Sequence, residues 1–344
     1  MRIGLVCPLD PSPTGRGVAE TEYATKKGFE DAGHEVVVND LDCKPDVWYA
    51  YSMAAFQRIV AKPEPKALAL VDLEHLLRVY TRQYYHPDIP ISYPDLVGMH
   101  NVVQYTKDRL KGLMIQADLI IEHAAHHSEW LNTQGIESIY VPMPIVDPGV
   151  PLMILPHDNV PMRILMVGHV HGIATLSGLY YLEQEILPLM ETCMRPDEWQ
   201  IQICGGDSLD ERLARRFKLY NPNVILRGYV TNISAEFYKA DLLLVPTPIE
   251  LGMRTRIADA FAHGCLVVAH TANNHGMPEM VHGVNALVAS DGKTIVDEIM
   301  RVNAWPGDMV GIRHNARDTF NKYFDHRVSM PTIVRLVEDL VGRS

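Results

Sequence analysis

Long hydrophobic runs are missing from this sequence: none approaches the roughly 18–20 residues that span a bilayer, so no membrane span is expected. The opening MRIGLVCPLDPSP has neither the apolar core nor the cleavage pattern of a secretion signal. Cysteine is scarce: Cys7, Cys43, Cys193, Cys204 and Cys265 lie far apart, with neither a disulfide framework nor zinc spacing. Such usage fits a reducing compartment, and a cytoplasmic location is expected. A positive balance is missing too. Against 42 acidic residues stand 31 basic ones, a formal net charge of -11. That excludes a protein that coats nucleic acid through its overall field, though not a local basic cleft. Internal repeats and low-complexity tracts are also absent.

What is present is an ordinary globular composition, 47% hydrophobic and 21% charged over 344 residues. That length suits two domains. Strand and helix signals alternate. RIGLVC (2–7) is a short apolar run followed by a loop with Pro8, Pro11, Pro13, Gly15 and Gly17. AETEYATKKGFEDAG (19–33) then reads as a helix stopped by Gly33. HEVVVND, ALALVDL, ADLIIEH and SIYVPM have the look of buried parallel strands, apolar throughout rather than alternating. Between Asp147 and Arg163 four prolines and little periodicity suit a connection between domains. A second series then opens with RILMVGHV. WQIQICGG, NVILRGYV, ADLLLVPTP, CLVVAH and ALVAS are its further strands, and GLYYLEQEILPLMETC, SAEFYKA and RTRIADAFAHG its helices. PTIVRLVEDLVGRS (331–344) carries an apolar stripe that needs a partner. Strands alternating with helices imply doubly wound α/β layers, whose ligands sit outside the carboxyl ends of the strands.

The segment Ala240–His270 is the richest in chemistry. A strand ends near Pro246, a loop follows with Glu250, Gly252 and Arg254, and a helix begins near Thr255. A helix start presents free N–H groups and a positive dipole end to an anion. Arg254 and Arg256 add guanidinium groups suited to phosphate oxygens. Asp259, in about the first turn, is placed to accept hydrogen bonds from ribose hydroxyls. The same residues would also suit an exposed, capped helix with surface arginines.

This segment resembles the C-terminal signature of GT-B glycosyltransferases, especially the retaining family 4. That signature is a strand, Pro, a variable loop, an acid, Gly, and then Glu-Ala-Met-Ala-x-Gly before a Val-Val-Ala-like strand. Asp259-Ala260-Phe261-Ala262-His263-Gly264 followed by Leu266-Val267-Val268-Ala269 is similar to it. Asp259 stands where the family's second glutamate binds the ribose. The first glutamate would fall on Leu251, one residue from Glu250, and Gly252–Arg256 resembles the Gly-x-x-x-Arg run of members lacking that acid. The resemblance covers roughly Arg163–Val288. It implies that Gly168 and His169 border the donor diphosphate. Arg227, Gly228 and Tyr229 would lie beside the nucleobase, with Gly276, Met277, Pro278 and Glu279 near the donor sugar. In the first half, Gly15-Arg16-Gly17 matches the glycine loop near the phosphates and acceptor. Asp72, Glu74 and His75 match a cleft loop whose histidine contacts the donor sugar.

The resemblance thus implies two Rossmann-like domains facing a cleft. An acceptor domain spans 1–147, a linker 148–162 and a nucleotide-sugar domain 163–325, and a helix at 326–344 returns to the first domain. It implies transfer of a hexose or pentose from a nucleotide-diphosphate sugar to an acceptor hydroxyl with retention. Arg256, Arg254 and His75 would be catalytic. The nucleotide sugar is a co-substrate, and no other cofactor is expected. No metal is expected either. His123, His126 and His127 have helical spacing but no companion acid or Cys, and read as polar surface. Asp40-Leu41-Asp42 reads as a strand-end turn. A glycan, lipid or small-molecule acceptor is the default. Residues 15–38 also resemble phage glucosyltransferases acting on a hydroxymethylated DNA base. The charge of -11 opposes a DNA partner, while Arg78, Arg82, Lys107, Arg109 and Lys111 would supply a local basic face. A nucleotide-sugar 2-epimerase and a non-catalytic sugar-nucleotide sensor are the remaining alternatives.

Overall fold

The computed structural model describes residues 1–12, 18–73, 76, 79–80, 107–150, 161–206 and 221–343. Two compact units divide the chain. One holds Met1–Val146, Leu251–Met253 and Tyr323–Ser344, the other Asp147–Glu250 and Arg254–Lys322.

The first unit is built on strands β1 (Arg2–Val6), β2 (Glu35–Val38), β3 (Val47–Tyr51), β4 (Lys66–Leu70), β5 (Leu119–Glu122) and β6 (Ile139–Tyr140). All pair in parallel, in the order β2-β1-β3-β4-β5-β6. Alternation sends Val47, Tyr49 and Tyr51 to one face and Trp48 and Ala50 to the other, and both faces are buried. Helices α1 (Val18–Asp31), α2 (Met53–Gln57) and α3 (Ala125–Thr133) follow their strands. The last helix of the chain, His326–Arg343, supplies Met330, Ile333, Val334 and Val337 to the first face. This helix starts five residues before the stripe alone suggests, with Pro331 inside it. Gly28 of α1 makes room for it: a Cβ there would lie 2.3 Å from Met330 Cγ.

The second unit has strands β7 (Met162–Val167), β8 (Trp199–Cys204), β9 (Val224–Gly228), β10 (Leu242–Val245), β11 (Val267–His270) and β12 (Leu287–Ala289). They too are parallel, in the order β12-β11-β10-β7-β8-β9. Helices α4 (Ile173–Tyr181), α5 (Leu187–Cys193), α6 (Ile233–Lys239), α7 (Thr255–Ala262), α8 (Gly292–Ala304) and α9 (Val310–Thr319) complete the layers, and the C-terminal helix is α10. The single helix expected over 178–193 is instead α4 and α5 joined by a π-turn at Leu182–Ile186. Pro188 lacks the N–H that a regular helix would need there, and a wider turn absorbs the fault. Among the described residues no helix is long and apolar enough to cross a membrane.

Candidate functional site

In the second sheet the chain runs outward from β7 to β8 and β9, then returns to place β10 against the other side of β7. The strand order therefore reverses between β7 and β10. A crevice opens at such a reversal, at the carboxyl ends of the strands. Its walls are the loop after Val167 and the loop between Val245 and α7.

Glycine and backbone dominate the β7 side. Gly168 has φ 146° and Gly205 φ 139°, backbone that L side chains rarely adopt. The two approach closely: a Cβ on Gly205 would fall 2.0 Å from the Gly168 carbonyl oxygen. Gly168 N–H donates to the Cys204 carbonyl at 3.0 Å, and Gly205 N–H to the Gly228 carbonyl at 2.8 Å. The ends of three neighbouring strands are thus stitched backbone to backbone. His169 is exposed on this loop, its ring 5.5 Å from that of His171. Arg227 and Tyr229 flank the end of β9 and are exposed, with Arg227 Nη1 donating to Gln202 Oε1 at 3.2 Å.

Cations dominate the β10 side. Arg254 caps α7 and is 6% exposed, donating through Nη2 to the Ile249 carbonyl at 3.2 Å. Arg256, the second residue of the helix, reaches across the crevice. Its Nη1 donates to the Val167 carbonyl at 2.6 Å and to Thr175 Oγ1 at 3.2 Å. Burial, with the neighbouring Arg254 charge, lowers the Arg256 guanidinium to about 9, and Asp259 opposes this. It stays protonated at neutral pH. Asp259 is half-buried and is the fifth residue of α7, which starts at Thr255, so it stands just past the first turn. Its carbonyl accepts from His263 Nδ1 at 2.7 Å. Glu250 is exposed and pairs with His275 at 3.1 Å. Met277 is fully buried, at 0% exposed.

In the first unit Asp72 is exposed. Gly252, counted with this unit, has φ 61° and donates its N–H to His127 Nε2 at 3.3 Å. Gly15, Arg16, Gly17, Glu74, His75, Arg78 and Arg82 lie outside the described residues. The reading of the histidine run as polar surface is corrected: His123 is 0% and His127 1% exposed. β5 is an interior strand, so its end is covered. His123 Nδ1 pairs with the Val141 carbonyl at 2.8 Å, and burial lowers its pKa to about 4. Beside it Glu122 is buried with its pKa well above the usual carboxylate range, chiefly from burial and then the Asp72 charge. Glu22 and Glu20 on α1 are pushed up to about 8 and about 7, burial being the main cause. Among the described residues no group of three or more His, Cys, Asp or Glu could hold a metal ion. Asp42 N–H donates to Asp40 Oδ1 at 3.0 Å, so Asp40–Asp42 forms a turn. Sequence reasoning missed Thr175 and the buried acids. Only the position of Thr175 in the first turn after a glycine loop hinted at its role.

Residues 161–303 match the family model described as glycosyl transferases, group 1. A comparison with curated proteins finds no match. Among solved structures, sucrose-phosphate synthase from Thermosynechococcus elongatus is similar at 14% identity, covering 100% of both chains with a TM-score of 0.75. A glycosyltransferase from Rickettsia africae is similar at 12% identity over 100% of this chain and 99% of its own, TM-score 0.70. Anabaena HepE in complex with UDP and glucose is similar at 14% identity, over 97% and 99% of the two chains, TM-score 0.67. At such identities the likeness establishes the fold: two Rossmann-like domains of GT-B type.

Proposed function

We propose that the chain is a glycosyltransferase that moves a hexose or pentose from a nucleotide-diphosphate sugar to an acceptor hydroxyl, with retention. One observation carries this reading. Arg256 and the glycine-lined end of β7 meet at the strand reversal, inside the region that matches the glycosyltransferase group 1 model. Backbone N–H groups, a helix start and a guanidinium suit the charge that develops on a leaving diphosphate. The UDP complexes of Anabaena HepE agree with such a donor.

In this reading the second unit takes the donor and the first the acceptor. Gly168 and His169 border the diphosphate, Arg227 and Tyr229 flank the base, and Asp259 accepts from the ribose. The bond from the anomeric carbon to the phosphate oxygen breaks, and a bond to the acceptor oxygen forms on the same face. The acceptor proton passes to the leaving phosphate oxygen, so no strong side-chain base is required. Arg256 and Arg254 stabilise the leaving group, and the transfer needs no metal.

Incubation of the full chain with UDP-, GDP- and ADP-sugars tests the proposal. Nucleoside diphosphate release, with sugar transfer or slow hydrolysis, is the expected result. Interconversion of the sugar would indicate an epimerase, and binding without turnover a sensor; either would overturn the reading.

A further inference from the structure

We propose that Thr175 is a positioning residue for the leaving diphosphate, acting through Arg256 by fixing the plane of its guanidinium. This rests on the transferase reading above. Arg256 Nη1 carries two N–H groups. One goes to the Val167 carbonyl at 2.6 Å and the other to Thr175 Oγ1 at 3.2 Å. With Nη1 engaged, the side formed by Nε–H and Nη2–H remains, the fork that meets two oxygens of a phosphate at once.

A single acceptor at Val167 would leave the guanidinium free to swing about that bond. The second acceptor removes this freedom. Thr175 is itself held: it is 5% exposed, and its N–H donates to the Gly172 carbonyl at 2.9 Å in the first turn of α4. Gly168 packs against the pair. A Cβ there would lie 2.4 Å from Thr175 Oγ1 and 2.5 Å from Arg256 Nη1. Glycine turn, hydroxyl and guanidinium therefore form one packed unit, oriented before any substrate arrives. Such preorganisation acts on the developing charge more than on ground-state binding.

The test uses the full chain and nucleotide release from UDP-, GDP- and ADP-sugars. Thr175→Val removes the acceptor at nearly constant shape. The expected result is a fall in kcat of about tenfold, with donor KM within about twofold. Thr175→Ser keeps the hydroxyl and should return kcat to within about twofold of wild type. Thr175→Ala supplies the same comparison if valine disturbs folding. In an Arg256→Lys background the guanidinium is gone, and Thr175→Val should cost nothing further. A merely structural threonine would lower thermal stability equally in both backgrounds and leave the kcat of folded enzyme unchanged; that result overturns the proposal. So does a serine variant as slow as valine. If the wild-type chain turns over no nucleotide sugar, the transferase reading fails and this proposal with it. If wild type is active and Thr175→Val is unaffected, only the proposal fails.

Discussion

The carboxyl ends of the two sheets are built from opposite chemistry. At the second sheet, glycine backbone and arginine side chains face the strand reversal between β7 and β10. At the first sheet the reversal falls between β1 and β3, and the described residues gathered there include the buried acids Glu22 and Glu122 and the buried rings of Tyr51 and His123. Burial pushes the Glu22 carboxyl up to about 8 and the Glu122 carboxyl well above the usual carboxylate range, it lowers His123 to about 4, and Tyr51 Oη donates to Thr21 Oγ1 at 3.1 Å. Ser52, at the end of β3, sits at φ 116°. Among the described residues, the same doubly wound topology thus yields one edge where arginine guanidiniums and glycine backbone meet and one where buried acids and neutral rings gather. The fold supplies the crevice, and the loop residues decide what charge it accepts.

The sharpest way to break the comparison is to fill the glycine edge. Gly205→Ala places a methyl 2.0 Å from the Gly168 carbonyl oxygen at a φ of 139°. The backbone conformation costs about 1–3 kcal/mol and the overlap about 1–3 kcal/mol more. Chemical denaturation should show the loss, together with weakened donor binding. Wild-type stability would mean that the three strand ends are not tied as described.

Next comes the charge itself. Arg256→Ala should lower turnover by 10²–10³, or ~2.7–4 kcal/mol, with a much smaller change in donor affinity. Steady-state kinetics at saturating donor check this. Near wild-type turnover would make Arg256 a structural tie between Val167 and α7.

These two predictions draw on features of different legibility. The apolar runs of β7, β10 and β11, and the basic start of α7, are readable from residue types alone. So is the parallel α/β class, because buried strands lose the alternation of half-exposed ones. The brace from Arg256 to Thr175 spans 81 positions, and no local pattern encodes a contact of that separation. β3 is apolar and aromatic-rich, yet it is absent from the strands read out of the sequence. The histidines of α3 look polar in sequence, and only the covered end of β5 makes them interior. Pro331 suggests a helix start, whereas α10 begins at His326 and carries the proline inside.

At the first edge the acids make a pH prediction. Folding raises the Glu22 carboxyl to about 8 from the ordinary 4.5. Between those values the native state binds more protons than the unfolded chain, so stability falls as pH rises through the window. One such group contributes a slope of at most ~1.4 kcal/mol per pH unit. Glu22→Gln should remove this slope and stabilise the protein above pH 8, as urea melts at several pH values would show. An unchanged slope would assign the dependence to Glu20 or Glu122.

The smallest effect is a control for the glycine edge. Gly112 lies within helical 107–114 of the first unit, exposed, with nothing within 4 Å of a built Cβ. Its backbone is not in the positive-φ region. Alanine loses less conformational entropy on entering a helix and favours it by about 0.5–1 kcal/mol over glycine. Gly112→Ala should therefore raise the melting temperature by about 1–4 °C for a unit of this size, with kcat and KM unchanged. The sign is opposite to that at Gly205, although the covalent change is the same methyl. What differs is the native φ and what the new carbon meets: solvent at 112, a backbone carbonyl at 205. If both alanine variants lose stability alike, the glycines of this chain share some general demand for flexibility, and the close approach at the end of β8 is not the reason for Gly205. Opposite signs tie the requirement at Gly205 to the strand-end geometry that forms the candidate donor site.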